Sequence, residues 1–272
     1  MGIAPKLSDA ELVTLAVLHA LLGYCSEARW LRYADRHLRQ LFPYLPGQSG
    51  YNKRLRRAAE LISHVIRAIA TDTSLWSDDV WLVDSTPVEC GRSRETAKRS
   101  ALAGWAAYGW CPSHSRWFWG LRLQLVCTLH GLPIAFALTS ARAVDREVLV
   151  DLLAVEPQLA AARPGQLLIA DKNYYGREVE HHLAELGLRL LRPARKGEAE
   201  RPGGRLFKPL RQLIESVNAT FKGQLNLEQH GGHTPAGVWV RVLQRILALT
   251  AAIWHNHHTG QPTLRSLTAY DH

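Results

Sequence analysis

The sequence predicts an α/β protein in which a mixed five-stranded sheet is flanked by helices and preceded by a small all-helical domain. Three observations carry that expectation. The first 75 or so residues repeat apolar positions at helical spacing between residues suited to cap helices. From Trp76 onward three β-rich runs follow one another, and two more then alternate with helical segments.

The elements can be justified in order. Ser8-Asp9-Ala10-Glu11 has the spacing of a capping box and opens LVTLAVLHALL. Ser26 or Glu27 opens ARWLRYADRHLRQLF, which Pro43 and Pro46 close. After an LPGQSG turn, YNKRLRRAAELISHVIRAIA reads as a third helix, and its first half carries Lys53, Arg54, Arg56 and Arg57. A basic helix after two shorter ones suits contact with a DNA backbone, or equally a solvated face on a packing helix. The helical domain is placed at residues 1–75 and the sheet domain at 76–272.

VWLVDSTPV is the first expected strand, RWFWGLRLQLVCTLHG the second and LPIAFALTS the third. Their succession is a meander. In the second, alternation sets Trp117 and Trp119 on one face with Leu121, Leu123 and Leu125, which favours core packing for both tryptophans, with base stacking as the other use for them and for Trp105 and Trp110. Asp145 can cap a helix, DREVLVDLLAVE, before a fourth strand, QLLIA. GREVEHHLAELG is a helix stopped by Gly187, LRLLRPA a fifth strand, and a polar Gly-rich loop from Lys196 to Arg205 leads into a last amphipathic helix. The order β-β-β-α-β-α-β-α is that of the ribonuclease H-like fold.

Three acids stand at notable addresses in this order. Asp84 interrupts the first strand, Asp171 ends the fourth, and Glu215 lies within the late helix. At about 100° per residue, Arg211, Glu215, Asn218 and Lys222 form one polar stripe beside an apolar stripe of Leu210, Leu213, Ile214, Val217 and Phe221. Two strand-end carboxylates facing a helical one can bind a divalent metal. Taken alone, Arg211 and Glu215 also fit a solvated i, i+4 pair.

Composition bounds the partners. A 47% hydrophobic content excludes a disordered chain, and 33 Lys and Arg against 24 Asp and Glu, a net charge of +9, favour a polyanion such as nucleic acid. The longest apolar run, near Leu12 to Leu22, is broken by Thr14 and His19, and the N-terminus lacks the layout of a signal peptide. The expectation is no membrane partner and a cytoplasmic, nucleoid-associated location. Cys25, Cys90, Cys111 and Cys127 are widely spaced, which suits reduced thiols. Cys111-Pro-Ser-His114 is a weak zinc candidate, and the histidines at 230, 233, 255, 257 and 258 suit surface or cap roles better than metal ligation.

With these residues in view, DSTPV, HGLP, ADKNYYG and the Arg211-x3-Glu215-x6-Lys222 spacing resemble the DDE transposases of bacterial insertion sequences, especially the group numbered nine-eighty-two. The similarity runs from LSDAELVTLAVL to RVLQRILALTAAIWHN. It departs from the family pattern at Lys208, where a Tyr is frequent, and at Asn173, where Gly is frequent and a left-handed backbone would let Asn substitute. Relatives also tend to carry extra residues before the LSDAELV-like segment.

The resemblance implies metal-dependent hydrolysis of a phosphodiester at transposon ends, followed by strand transfer into target DNA. It implies Asp84, Asp171 and Glu215 as catalytic ligands of two Mg²⁺ ions, with Mn²⁺ an alternative, Asp84 bridging the pair. Lys172, Arg211 and Lys222 are implied phosphate contacts, joined by the basic helix at Lys53, Arg54, Arg56 and Arg57. The implied partners are double-stranded DNA, as terminal inverted repeats and target, and a second copy of the chain when the ends are synapsed. Two other readings keep the residues but change the role: a structure-selective nuclease of the resolvase type, and a decayed or domesticated protein that only binds DNA.

Overall fold

The computed structural model describes residues 6–111, 115–201 and 203–267. Four helices come first: α1 (Asp9–Leu21), α2 (Glu27–His37), α3 (Gln48–Arg57) and α4 (Ala59–Thr71). The capping box at α1 forms as expected, with the Ser8 hydroxyl accepting from the Glu11 backbone and the Glu11 carboxylate accepting from the Ser8 backbone at 2.7 Å. Ser26 caps α2. The expected third helix is instead two, broken at Ala58, whose backbone leaves the helical region at ψ 10°. No Pro or Gly marks the break. Its cause is tertiary: α3 packs against α2 and α10 together, while α4 runs along α10.

The sheet contains β1 (Val80–Gly91), β2 (Ala107–Cys111), β3 (Arg116–Thr128), β4 (Pro133–Ser140), β5 (Leu167–Ile169) and β6 (Arg189–Leu191). Strands β4, β3, β1, β5 and β6 lie side by side in that order, the first three antiparallel and the last two parallel to β1. This is the meander-plus-crossover sheet of the ribonuclease H-like fold. A sixth strand, β2, goes beyond the five expected. It pairs with residues 116–120 of β3, on the edge that β4 takes from residue 121 onward. Only five residues long and rich in Trp and Tyr, AYGWC gives too short an alternation to read as a strand.

Pro87 is tolerated inside β1 because β5 pairs only with residues 80–82, so the β5-side edge of β1 carries no ladder bonds at that level. Gly120 is required where β1 and β3 approach: an added Cβ would lie 2.2 Å from the Val88 carbonyl. Between the strands run α5 (Arg94–Arg99), α6 (Asp145–Val155), α7 (Pro157–Ala161) and α8 (Arg177–Glu185), and after the last strand come α9 (Gly204–Ala219) and α10 (Pro235–Thr259).

Alternation along the strands splits the core into two layers. Leu82, Val88, Leu121, Leu123 and Leu125 face a core built with α1 to α4, α9 and α10. Trp81, Val83 and Val126 face the opposite one, closed by α6, α7 and α8. Helix α10 is the axis of the first. Pro235 opens it, the Thr234 hydroxyl accepts from the Gly237 N–H, and Gly260 closes it in a left-handed conformation at φ 70°. Its 25 residues are long and apolar enough to cross a bilayer, a match that the expected absence of such a run passes over, yet 83% of the apolar window is buried inside the protein.

Asp145 does not cap α6. It is the first helical residue, Val144 holds the cap position without a side-chain bond, and the Asp145 carboxylate instead meets Arg122 at 3.3 Å. Nor do both tryptophans of β3 enter the core. Trp119 is buried, whereas Trp117, beyond the reach of β1, is 67% exposed.

Candidate active site

Asp84 lies midway along β1, on the face that carries Leu82 and Val88. The parallel register pairs Leu82 with Ile169, and extending it by two residues brings Asp84 level with Asp171, on a strand about 5 Å away. The two acids therefore stand side by side at the level where β5 ends and β1 continues.

Asp171 is held by its own loop. The Asn173 backbone N–H donates to Oδ1 and its side-chain amide donates to Oδ2, each at 2.8 Å. Asn173 has no positive φ, so it stands where Gly is frequent as a clasp on the carboxylate rather than as a left-handed turn residue. Tyr174, fully buried, anchors the loop by accepting a 2.6 Å bond from the Gln124 amide of β3. Tyr175 stacks beneath Arg195 at 3.6 Å and against Arg146 at 4.7 Å.

Helix α9 crosses β1 at this level. Val217 and Phe221 are fully buried and Ile214 nearly so, as the apolar stripe requires, and that packing turns Asn218 onto Asp84: its amide donates to Oδ2 at 3.0 Å. Glu215, one turn earlier, is exposed and paired with Arg211 at 2.7 Å. Asn218 is thus the α9 residue in hydrogen-bond contact with Asp84. After Ala219 the helix widens into a π turn over Thr220–Gln224, so Lys222 no longer follows the α-helical phase of the stripe. The approach to α9 is fixed by Arg192, buried and bonded to both Glu180 and Glu198, with Arg201 bridging the same two acids.

The electrostatics centre on Asp84. Burial pushes its carboxyl up to about 7, and the like charges of Asp171 and Asp145 add to the rise, against the Ser85 N–H and the Arg211 charge. Burial also raises Asp145, with Asp171 contributing and Arg122 opposing. Arg122 reaches three groups, the Ser85 hydroxyl at 3.2 Å, Asp145, and the Trp110 carbonyl at 2.8 Å, so it ties the β2 hairpin to the residue next to Asp84.

The remaining expected contacts divide. Lys172 is exposed beside Asp171. Lys53, Arg56 and Arg57 are exposed along one side of α3, at i, i+3 and i+4. Arg54 turns inward, where it binds the Leu7 carbonyl and Asp9. The four cysteines are free thiols, and residues 112–114 of the zinc candidate lie outside the described residues. Among the described residues no three His, Cys, Asp or Glu side chains already stand as a metal cluster. Gln124 and Arg122 carry no pattern that would single them out in sequence; Asn218 had a signal in its place in the polar stripe, and Asn173 in its place within ADKNYYG.

A family model described as a transposase DDE domain matches residues 75–251. No curated protein matches. Among solved structures, the chain is similar to the Mos1 transposase paired-end complex with left transposon end, at 12% identity over 93% of this chain and 79% of that chain, with a TM-score of 0.31.

Proposed function

The chain belongs to the DDE transposase domain family, and on that footing we propose that it cuts transposon ends by phosphodiester hydrolysis and joins the freed 3′-hydroxyl to target DNA, with Asp84, Asp171 and Glu215 as the catalytic carboxylates. The observation that carries this reading is that Asp84, inside β1, and Asp171, just past the end of the adjacent β5, stand level with each other beneath α9, inside the matched span.

The site suits a divalent cation. Burial, reinforced by the like charges of Asp171 and Asp145, raises the Asp84 carboxyl to about 7. The Asn218 amide must turn its nitrogen toward an ionised Asp84, which leaves its buried oxygen without a donor. Hard oxygens and a missing positive charge are what Mg²⁺ or Mn²⁺ requires. Asp84 and Asp171 would hold such ions with Glu215, which would exchange its Arg211 partner for them. Bound there, the cations would supply Lewis-acid activation of water and stabilisation of the leaving 3′-oxygen.

The protein's own groups do the rest. Asp84 must be ionised for the reaction. Asn173 fixes the orientation of Asp171, and Lys172 and the released Arg211 offer charge to phosphate oxygens. Ser85 is bonded to Arg122, which suits a structural role rather than a nucleophile. The partners in this reading are double-stranded DNA and, with two ends synapsed, a second copy of the chain.

The test is cleavage of DNA carrying the element's own terminal repeats in Mg²⁺ or Mn²⁺. Asp84→Ala, Asp171→Ala and Glu215→Ala should each abolish nicking. Full activity of Glu215→Ala would remove it from the ligand set, and cutting of branched junctions but not of repeat ends would favour a resolvase.

A further inference from the structure

The hairpin of β2 and β3 places two aromatic pairs in succession on one face: Tyr108 opposite Trp119, then Trp110 opposite Trp117. The second pair meets edge to face, with ring centroids 5.5 Å apart. Trp119 is buried, but Trp117 is 67% exposed and Trp110 41%, and Trp105 in the preceding loop is 64% exposed. Aromatic rings of this size are rarely left to water unless something covers them. Beside them lies a hollow of about 330 Å³, lined by Tyr108 and Trp119 with Arg94, Ala97, Lys98 and Ala103.

The charge around these rings decides what the cover is. Around these rings five cations, Arg92, Arg94, Lys98, Arg99 and Arg116, stand against three carboxylates, Glu89, Glu95 and Glu228, the last meeting Arg116 at 3.2 Å. Glu95 is shared at 3.7 and 3.8 Å by Lys98 and Arg99, and Arg94 has no ion-pair partner among the described residues. A second copy of the chain would bring the same positive charge to this surface. A polyanion with flat, apolar faces satisfies both features. Unpaired nucleobases are such faces on such a backbone, and base–aromatic stacking beside cations is how single strands are held.

We propose that the β2–β3 hairpin and α5 form a stacking platform for unpaired bases of single-stranded DNA, apart from the carboxylate site and serving it. The identification of the strand as DNA rests on the transposase reading. Trp119 stands on the sheet face that bears Asp84, six residues along β3 from Leu125, the cross-strand partner of Asp84. At about 3.3 Å per residue the separation is about 20 Å, a span of a few nucleotides. Arg122, bonded to both Ser85 and the Trp110 carbonyl, links the two places mechanically.

The experiment uses the full chain without divalent metal and follows the anisotropy of a labelled oligothymidine and of a labelled duplex. Trp110→Ala and Trp117→Ala should each weaken single-strand binding by about fivefold or more while leaving duplex affinity unchanged. Trp117→Phe should retain most of the single-strand affinity. Equal losses on both DNAs, or no loss on the single strand, would overturn the proposal. So would a dimer in sedimentation that becomes monomeric in Trp117→Ala with single-strand affinity intact. Asp84→Asn separates this platform from the cleavage reading, since it should stop nicking and leave oligothymidine binding unaltered. A wild-type protein that binds through the tryptophans yet never nicks repeat ends would sink the cleavage reading alone.

Discussion

The Asn218 amide donates to the Asp84 carboxylate across 3.0 Å, joining the C-terminal end of α9 to the middle of β1 at a carboxyl that burial has raised from 3.8 to about 7. The raised value sets a direction for stability. Between about pH 4 and pH 7 an unfolded Asp84 has lost its proton while the folded one retains it, so metal-free protein loses stability as pH rises through that window, by an amount on the order of 4 kcal/mol at most. Asp84→Asn removes the titration and keeps the bond from Asn218. The variant should match wild type near pH 4 and become progressively more stable than it up to pH 7, as read by thermal melting in a chelator. Identical melting curves across the range would contradict the burial of this carboxyl.

A cation at the site should reverse that cost. Mg²⁺ or Mn²⁺ supplies the charge that Asp84 and Asp171 lack, so near neutral pH it should raise the melting temperature of wild type, by about 2.7 kcal/mol in stability at a hundredfold excess over Kd. Asp84→Asn should gain much less. Equal gains in both proteins would mean that the ion binds elsewhere.

How far the sequence reaches can be judged at this site. Asp84 and Asp171 were legible because each interrupts or ends an apolar strand run, and the parallel crossover that makes their strands neighbours follows from the order of elements. The apolar stripe of α9 was legible too, from periodicity alone. The contact made by Asn218 was not, because a displacement of one turn along the axis decides which polar residue of a stripe meets the sheet, and only the packing of Val217 and Phe221 sets that position. Asp145 was readable as a helix start, yet Arg122, 23 residues away, takes its carboxylate. The break at Ala58 was hidden because it depends on α10, distant in sequence, and the strand β2 because five residues give too short an alternation to read.

Helix α3 separates two kinds of arginine. Lys53, Arg56 and Arg57 are exposed with no ion-pair partner among the described residues, whereas Arg54 clamps the chain ahead of α1 through Leu7 and Asp9. If α3 lies on a DNA backbone, replacing the three exposed residues with Gln should flatten the dependence of log K on log salt by up to about 2.7 and leave the melting temperature alone. Arg54→Gln should do the opposite. A steep salt dependence retained in the triple variant would leave α3 a merely solvated face.

The joint between the N-terminal helices and α10 rests on a buried ion pair. Glu27 at the start of α2 binds Arg241 of α10 and accepts from Asn52 at 2.7 Å, while Arg241 also donates to Gln244 at 2.8 Å and to His19 at 3.2 Å. Arg245, one turn on, is equally buried and, among the described residues, donates only to the carbonyls of Asn226 and Arg241. The cluster therefore encloses two guanidinium charges and one carboxylate. Glu27→Leu would leave both cations uncompensated, and breaking one side of such a pair costs about 3 to 5 kcal/mol. Replacing both partners, as Glu27→Leu with Arg241→Met, removes the stranded charge with the bond and should cost less than Glu27→Leu alone. Urea unfolding measures both. A single variant that loses less than about 1 kcal/mol would put this pair with ordinary exposed ones and remove it as the reason α2 docks on α10.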